Sequence, residues 1–125
     1  MGDVGARFAK ALAAKDAAGL KDVLRPGVDF RAMTPSRFWE SADVDDIVDG
    51  TILGTWFAPD REILSVLGVD EDHDSPVDRV AYRLRVRLPD GEYLVEQQAY
   101  YETVDDRISW LRIMCTGFVP APSQS

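Results

Sequence analysis

The chain has 125 residues, 46% hydrophobic and 29% charged, and its 14 Lys and Arg against 22 Asp and Glu leave a net charge of −8. That length and balance suit one folded domain, expected over residues 1–119 with a frayed tail at 120–125, and they argue against disorder. The negative charge repels phosphate backbones and anionic lipid surfaces, so nucleic acid and membrane are excluded as expected partners.

No apolar run approaches the roughly 20 residues that cross a bilayer. Met1 to Val4 lacks the basic and apolar stretches of a secretory signal, and the lone cysteine, Cys115, offers no internal disulfide. Both features fit a reducing cytoplasm.

In chain order, Asp3 to Ala14 is alanine-rich and places Val4, Phe8, Ala11 and Leu12 at helical spacing. Asp16 is positioned to cap a second short helix carrying Leu20, Val23 and Leu24, which Arg25-Pro26-Gly27 stops. Val28 to Met33 reads as a short strand. Thr34-Pro35 then has the form of a helix start, with Arg37-Phe38-Trp39-Glu40 in the connection. Ser41 opens the next helix, with Asp43, Asp45 and Asp46 crowding its first turn. Its apolar stripe is Val44, Ile47, Val48, Ile52 and Trp56, and Gly50 and Gly54 weaken its middle.

From Glu62 the period changes to alternation. Glu62 to Val69 is a strand, and Asp70 to Pro76 is an acidic loop. Val80 to Leu88 alternates apolar residues with Ala81, Arg83, Arg85 and Arg87, the plainest strand signal in the chain. With Asp90-Gly91 as a two-residue turn, Arg85 faces Glu96, Val86 faces Val95 and Tyr82 faces Ala99. Tyr82, Leu84, Val86, Val95, Gln97, Ala99 and Tyr101 then share one face, and the arginines, Glu96 and Gln98 share the other. Carrying the register through a two-residue Asp105-Asp106 turn adds Trp110, Arg112 and Met114 to the first face and Leu111, Ile113 and Cys115 to the second. A slip of one residue there swaps the two sets.

The order helix, helix, short strand, helix and long antiparallel meander resembles the nuclear transport factor 2-like superfamily. The likeness rests on Phe8 to Leu12 with Asp16 and Leu20, on Val28 to Ala32, and on Asp106 to Ile113. Small actinobacterial members with a stretch like Thr34 to Glu40 and one like Leu53 to Phe57 are most similar. The resemblance implies an α+β cone in which N-terminal helices pack on a curved antiparallel sheet. It also implies a fold that hosts isomerases, dehydratases, epoxide hydrolases, polyketide cyclases and plain dimerisation modules.

Within that cone the expected ligand-binding residues are Tyr82, Gln97, Tyr101, Trp110, Arg112 and Met114, joined by Trp39 and Trp56 from the helices. A buried Gln or Arg needs partners, which the tyrosine hydroxyls, Asp29 or a small hydrophobic ligand would supply. No general base is evident. The only histidine, His73, lies in the acidic loop. There Asp70, Asp72 and Asp74 begin like a calcium loop, but Ser75 stands in place of the glycine and Ala81 in place of the glutamate. No metal and no cofactor is therefore expected. Cys115 lacks a visible activating base and reads as a small hydrophobe on a strand. The arginine stripe reads as a solvated face rather than an anion site.

The function expected is small-molecule binding, with or without isomerase, cyclase or dehydratase chemistry. The alternative is a homodimer or partner module docking through the outer sheet face by Tyr100, Leu111 and Ile113.

Overall fold

Alanine content and apolar spacing give two helices at the start of the chain. In the computed structural model, which describes residues 4–73 and 77–121, α1 (Val4–Ala13) buries Val4, Phe8, Ala9 and Leu12. α2 (Ala17–Val23) starts where Asp16 accepts a hydrogen bond from the Gly19 N–H at 3.0 Å. The residue between them, Lys15, has φ +53° and closes a tight corner. Its ammonium donates to the carbonyls of Ala58 (2.9 Å) and Arg61, tying the helical pair to the next connection. Gly5 is required where it stands. Its N–H donates to the Tyr101 hydroxyl at 3.2 Å, and a Cβ there would come within 2.5 Å of that oxygen.

The third helix (Asp46–Trp56) is wound as a π-helix. Its end shows the wider turn, since the Phe57 N–H bonds to the Ile52 carbonyl, five residues back. The buried residues are Ile47, Val48, Thr51, Ile52 and Trp56. At the α-helical advance of about 100° per residue, Thr55 would sit mid-face and Trp56 would swing to one side. Five-residue closure slows the advance to about 80° per residue and returns Trp56 to the core face. Before this helix, Ser41 and Asp43 turn the chain, their side chains accepting from the N–H groups of Asp43 and Asp45.

Seven strands form one sheet: β1 (Leu24–Thr34), β2 (Arg37–Ser41), β3 (Glu62–Asp72), β4 (Asp78–Leu88), β5 (Gly91–Val104), β6 (Arg107–Cys115) and β7 (Val119–Pro120). Their order is β2-β1-β6-β5-β4-β3, with β7 beside the start of β5. The sheet is mixed and not antiparallel throughout, because β1 runs parallel to β6. The stretch expected to start a helix at Thr34-Pro35 is instead a hairpin, with Thr34 opposite Arg37. Pro35 suits the first corner of a type II turn and Ser36 takes φ +70° at the second, so β2 returns along β1. Pro120, expected in a frayed tail, lies opposite Tyr93. Residues 122–125 and Asp74 to Pro76 of the expected acidic loop lie outside the described residues.

Two registers differ from expectation, with different consequences. The β4–β5 turn is Pro89-Asp90 rather than Asp90-Gly91, so Arg83 faces Glu96 and Tyr82 faces Gln97. That shift is two residues, which preserves the faces: Tyr82, Leu84, Val86, Val95, Gln97, Ala99 and Tyr101 are all buried. The β5–β6 pairing begins as expected, with Val104 opposite Arg107 across Asp105 and Asp106. A β-bulge then leaves Ser109 unpaired between Ile108 and Trp110, a shift of one residue. Leu111 and Ile113 consequently face the core, and Trp110, Arg112 and Met114 face out.

The core lies between the sheet's inner face and the three helices, α1 over β3 and β4, α2 over β1 and β6. On the outer face the arginine stripe is neutralised across strands, Arg83 by Glu96 (3.2 Å), Arg85 by Glu92 (2.7 Å) and Arg87 by Glu62 (3.4 Å). Exposed pairs of this kind add little stability.

Candidate ligand-binding site

Most inner rows of the sheet are apolar: Ala32, Ile113, Ala99 and Val80 make one, Leu84 and Val95 another. Between them lies a polar row. Cys115 on β6 pairs with Gln97 on β5, which pairs with Tyr82 on β4, which pairs with Val69 on β3. Directly opposed residues in a sheet share a face, so the thiol, amide and phenol look into the core together.

Gln97 is 1% exposed and Tyr82 2%. The Tyr82 hydroxyl donates to Gln97 Oε1 at 2.6 Å. Burial pushes the phenol's pKa well up, so it stays protonated and remains a donor. With its oxygen held, the Gln97 amide presents its two N–H groups elsewhere, and buried Nε2 has no hydrogen-bond partner among the described residues. A buried amide nitrogen without an acceptor is costly, and it marks a position where an acceptor would be welcome. Both ends of the row reach solvent. Cys115 is partly exposed and Val69 is 48% exposed, while a cleft of about 280 Å³ past Leu67, Val69 and Tyr82 along the β3 rim also takes in Ala81, Arg83 and Glu96 of the outer face.

The other expected site residues are distributed around this row. Tyr101 is inside, its hydroxyl engaged by the first turn of α1. Trp56 is inside, packed on Phe30 and edge-on to Trp39, and its buried indole N–H has no hydrogen-bond partner. Trp39 closes one end of the core, donating to the Thr34 hydroxyl at 2.9 Å beneath the Arg37 guanidinium. Trp110, Arg112 and Met114 are not brought to the interior. Arg112 lies over the Trp110 ring and donates to Asp29, the partner anticipated for it, at 3.2 Å.

Cys115 was expected on the opposite face, and only the bulge at Ser109 turns it inward. Sequence reading also missed Phe57 and Phe118, which meet edge-to-face at 6.3 Å, with Arg61 over the Phe118 ring.

The charged groups lie elsewhere. Among the described residues, the buried polar side chains are Thr51 and Gln97, so the interior holds no carboxylate and no imidazole. No group of three or more described His, Cys, Asp or Glu could hold a metal. His73 sits at the β3–β4 end against Asp78 (2.9 Å) and Glu71 (3.6 Å). What the arrangement offers chemically is neutral hydrogen bonding among packed apolar side chains.

No family model matches the sequence, and no curated protein matches it. Solved structures do. An LEH-like epoxide hydrolase of M. tuberculosis superposes with a TM-score of 0.69 at 11% identity, over 91% of this chain and 80% of that one. An NTF2-like protein of Burkholderia thailandensis gives 0.69 at 11%, over 90% and 88%. A protein of ketosteroid isomerase-like fold from Catenulispora acidiphila, solved with trimethylamine, gives 0.69 at 9%, over 89% and 83%. At such identities the likeness establishes architecture. The chain has the nuclear transport factor 2-like fold, an α+β cone of three helices on an open seven-stranded sheet. No described helix is long and apolar enough to cross a membrane.

Proposed function

We propose that this protein binds a small, largely apolar molecule carrying a hydrogen-bond acceptor such as a carbonyl, held at Gln97 inside the cone. The observation that carries the reading is the buried Gln97 Nε2 without an acceptor, backed by the Tyr82 hydroxyl that fixes the amide's orientation. Neighbours of this fold that act on or hold small molecules, among them the epoxide hydrolase and the trimethylamine complex, support it by analogy. Isomerase, cyclase or dehydratase chemistry needs a group to take a proton, and the described interior offers hydroxyl, amide, phenol, indole and thiol groups. Binding is therefore the activity assigned. The free thiol supports a reducing, cytoplasmic setting.

Titration with acetophenone and with ethylbenzene, followed by the Gln97 side-chain amide signals in NMR, tests this. The ketone should shift those signals and bind more tightly than the hydrocarbon. Equal affinity, with the Gln97 signals unmoved, would overturn the reading.

A second reading, homodimerisation through the outer sheet face, has its own support. Phe38, Met33 and Met114 are neighbours across β2, β1 and β6 and are 55%, 52% and 51% exposed. They stand where Leu111 and Ile113 had been expected. A contiguous apolar row on a sheet face suits a self-complementary contact. Light scattering at micromolar concentration should give a dimer that Met114→Asp converts to monomer, whereas a monomeric wild type would sink this reading.

A further inference from the structure

We propose that Cys115 and Gln97 form a site for covalent capture of α,β-unsaturated carbonyl compounds, the thiol adding to the alkene while the amide holds the carbonyl oxygen. This deepens the carbonyl-binding reading above and rests on it. The two residues are direct cross-strand partners on the inner face, a placement that sets their Cβ atoms about 5 Å apart. Side chains that rise from neighbouring positions on one face can meet the two ends of one small enone.

The roles divide by environment. Cys115 is partly exposed, so reagent and water reach its sulfur, whereas the Gln97 amide is buried. Gln97 Oε1 is taken by Tyr82 on the β4 side, which leaves Nε2 as the free end of the amide, and β6 with Cys115 flanks β5 on its other side. The Gly117 N–H donates to Cys115 Sγ at 3.3 Å, a contact that holds the sulfur in place. The phenol–amide hydrogen bond polarises the amide and strengthens its N–H groups as donors.

The step balances without an outside oxidant or reductant. The thiol gives its proton to water, and sulfur forms a bond to the β-carbon as the alkene π bond breaks. The displaced electron pair moves onto the carbonyl oxygen, which accepts from Gln97 Nε2 as an enolate, and the α-carbon then takes a proton from water. The product is a saturated thioether ketone attached to Cys115. A thiol that merely filled space would show no preference for this reaction over any other thiol chemistry.

That preference is what the experiment reads. Purified protein is treated with benzylideneacetone, an enone, and separately with the aromatic disulfide dithionitrobenzoate, whose reaction develops no oxyanion. Intact mass and absorbance give the two rates. The ratio of enone to disulfide rate should exceed that of N-acetylcysteine by about tenfold, the scale of one neutral hydrogen bond. Gln97→Met should return the ratio to the free-thiol value, and Cys115→Ser should form no adduct. A wild-type ratio equal to that of the free thiol would overturn the inference without needing a variant to fold, as would adduct formation in Cys115→Ser. Saturated benzylacetone separates the two readings: if it binds while the enone fails to react selectively, carbonyl binding stands and covalent capture falls.

Discussion

The Tyr82–Gln97 contact joins two groups that are both withdrawn from water, and its energetics are asymmetric. Gln97→Met leaves a buried phenol without its acceptor, which should cost about 1–3 kcal/mol in denaturant unfolding. The double variant Tyr82→Phe with Gln97→Met removes both partners and the unpaired amide nitrogen, so its stability should return to or exceed that of the wild type. A double variant less stable than the single would show that the Tyr82 hydroxyl has a partner other than Gln97. His73 follows another logic, at the surface. Its hydrogen bond to Asp78, aided by the charges of Glu71 and Asp72, raises its pKa. A raised value means that the imidazolium form is favoured on folding. The contribution is therefore complete below the ordinary histidine range and is lost as pH rises through the raised value. NMR titration of this single histidine should show its pKa fall in Asp78→Asn; an unchanged pKa would remove Asp78 as the cause.

The π-helix is the element most dependent on its packing. Its sequence has the apolar density of a buried α-helix, but only the wider turn puts Trp56 on the core side against Phe30 and Trp39. Gly54 belongs to that geometry. A Cβ there would lie 2.2 Å from the Asp49 carbonyl oxygen, a backbone atom with little room to retreat, whereas at Gly50 it would meet the end of the Asp46 side chain at 3.0 Å. Gly54→Ala should cost about 1–3 kcal/mol and alter the near-UV signal of Trp56, and Gly50→Ala should be markedly milder. Equal effects at the two positions would argue against π winding. The strands behave differently. The alternation of Val80 to Leu88 was legible because each alternate side chain meets either core or water, and a register error of two left that untouched. The β2 hairpin was not legible, because Thr34-Pro35 serves equally as a helix start and as the first corner of a turn.

At the scale of the whole molecule, the bulge at Ser109 decides which residues the protein shows its core and which its surroundings. Deleting Ser109 would remove the surplus residue and leave a regular ladder, with Trp110 still opposite Glu102, Leu111 and Ile113 still inside, and Arg112 and Met114 still out. Such a chain should still unfold cooperatively by circular dichroism, and loss of the cooperative transition would mean that the bulge does more than set the register. Local sequence alone dictates the two helices of the N-terminal hairpin, the Asp16 cap, the α+β class, and the inner face of β4 and β5. These follow from local propensity and from patterns that repeat within one element. Tertiary structure decided the parallel docking of β1 on β6, the winding that buries Trp56, and the single extra residue that turns Cys115 inward beside Gln97 and Arg112 outward to Asp29. Those outcomes depend on how elements distant in sequence fit against one another, and a one-residue change of register carries no mark in the pattern of either strand alone.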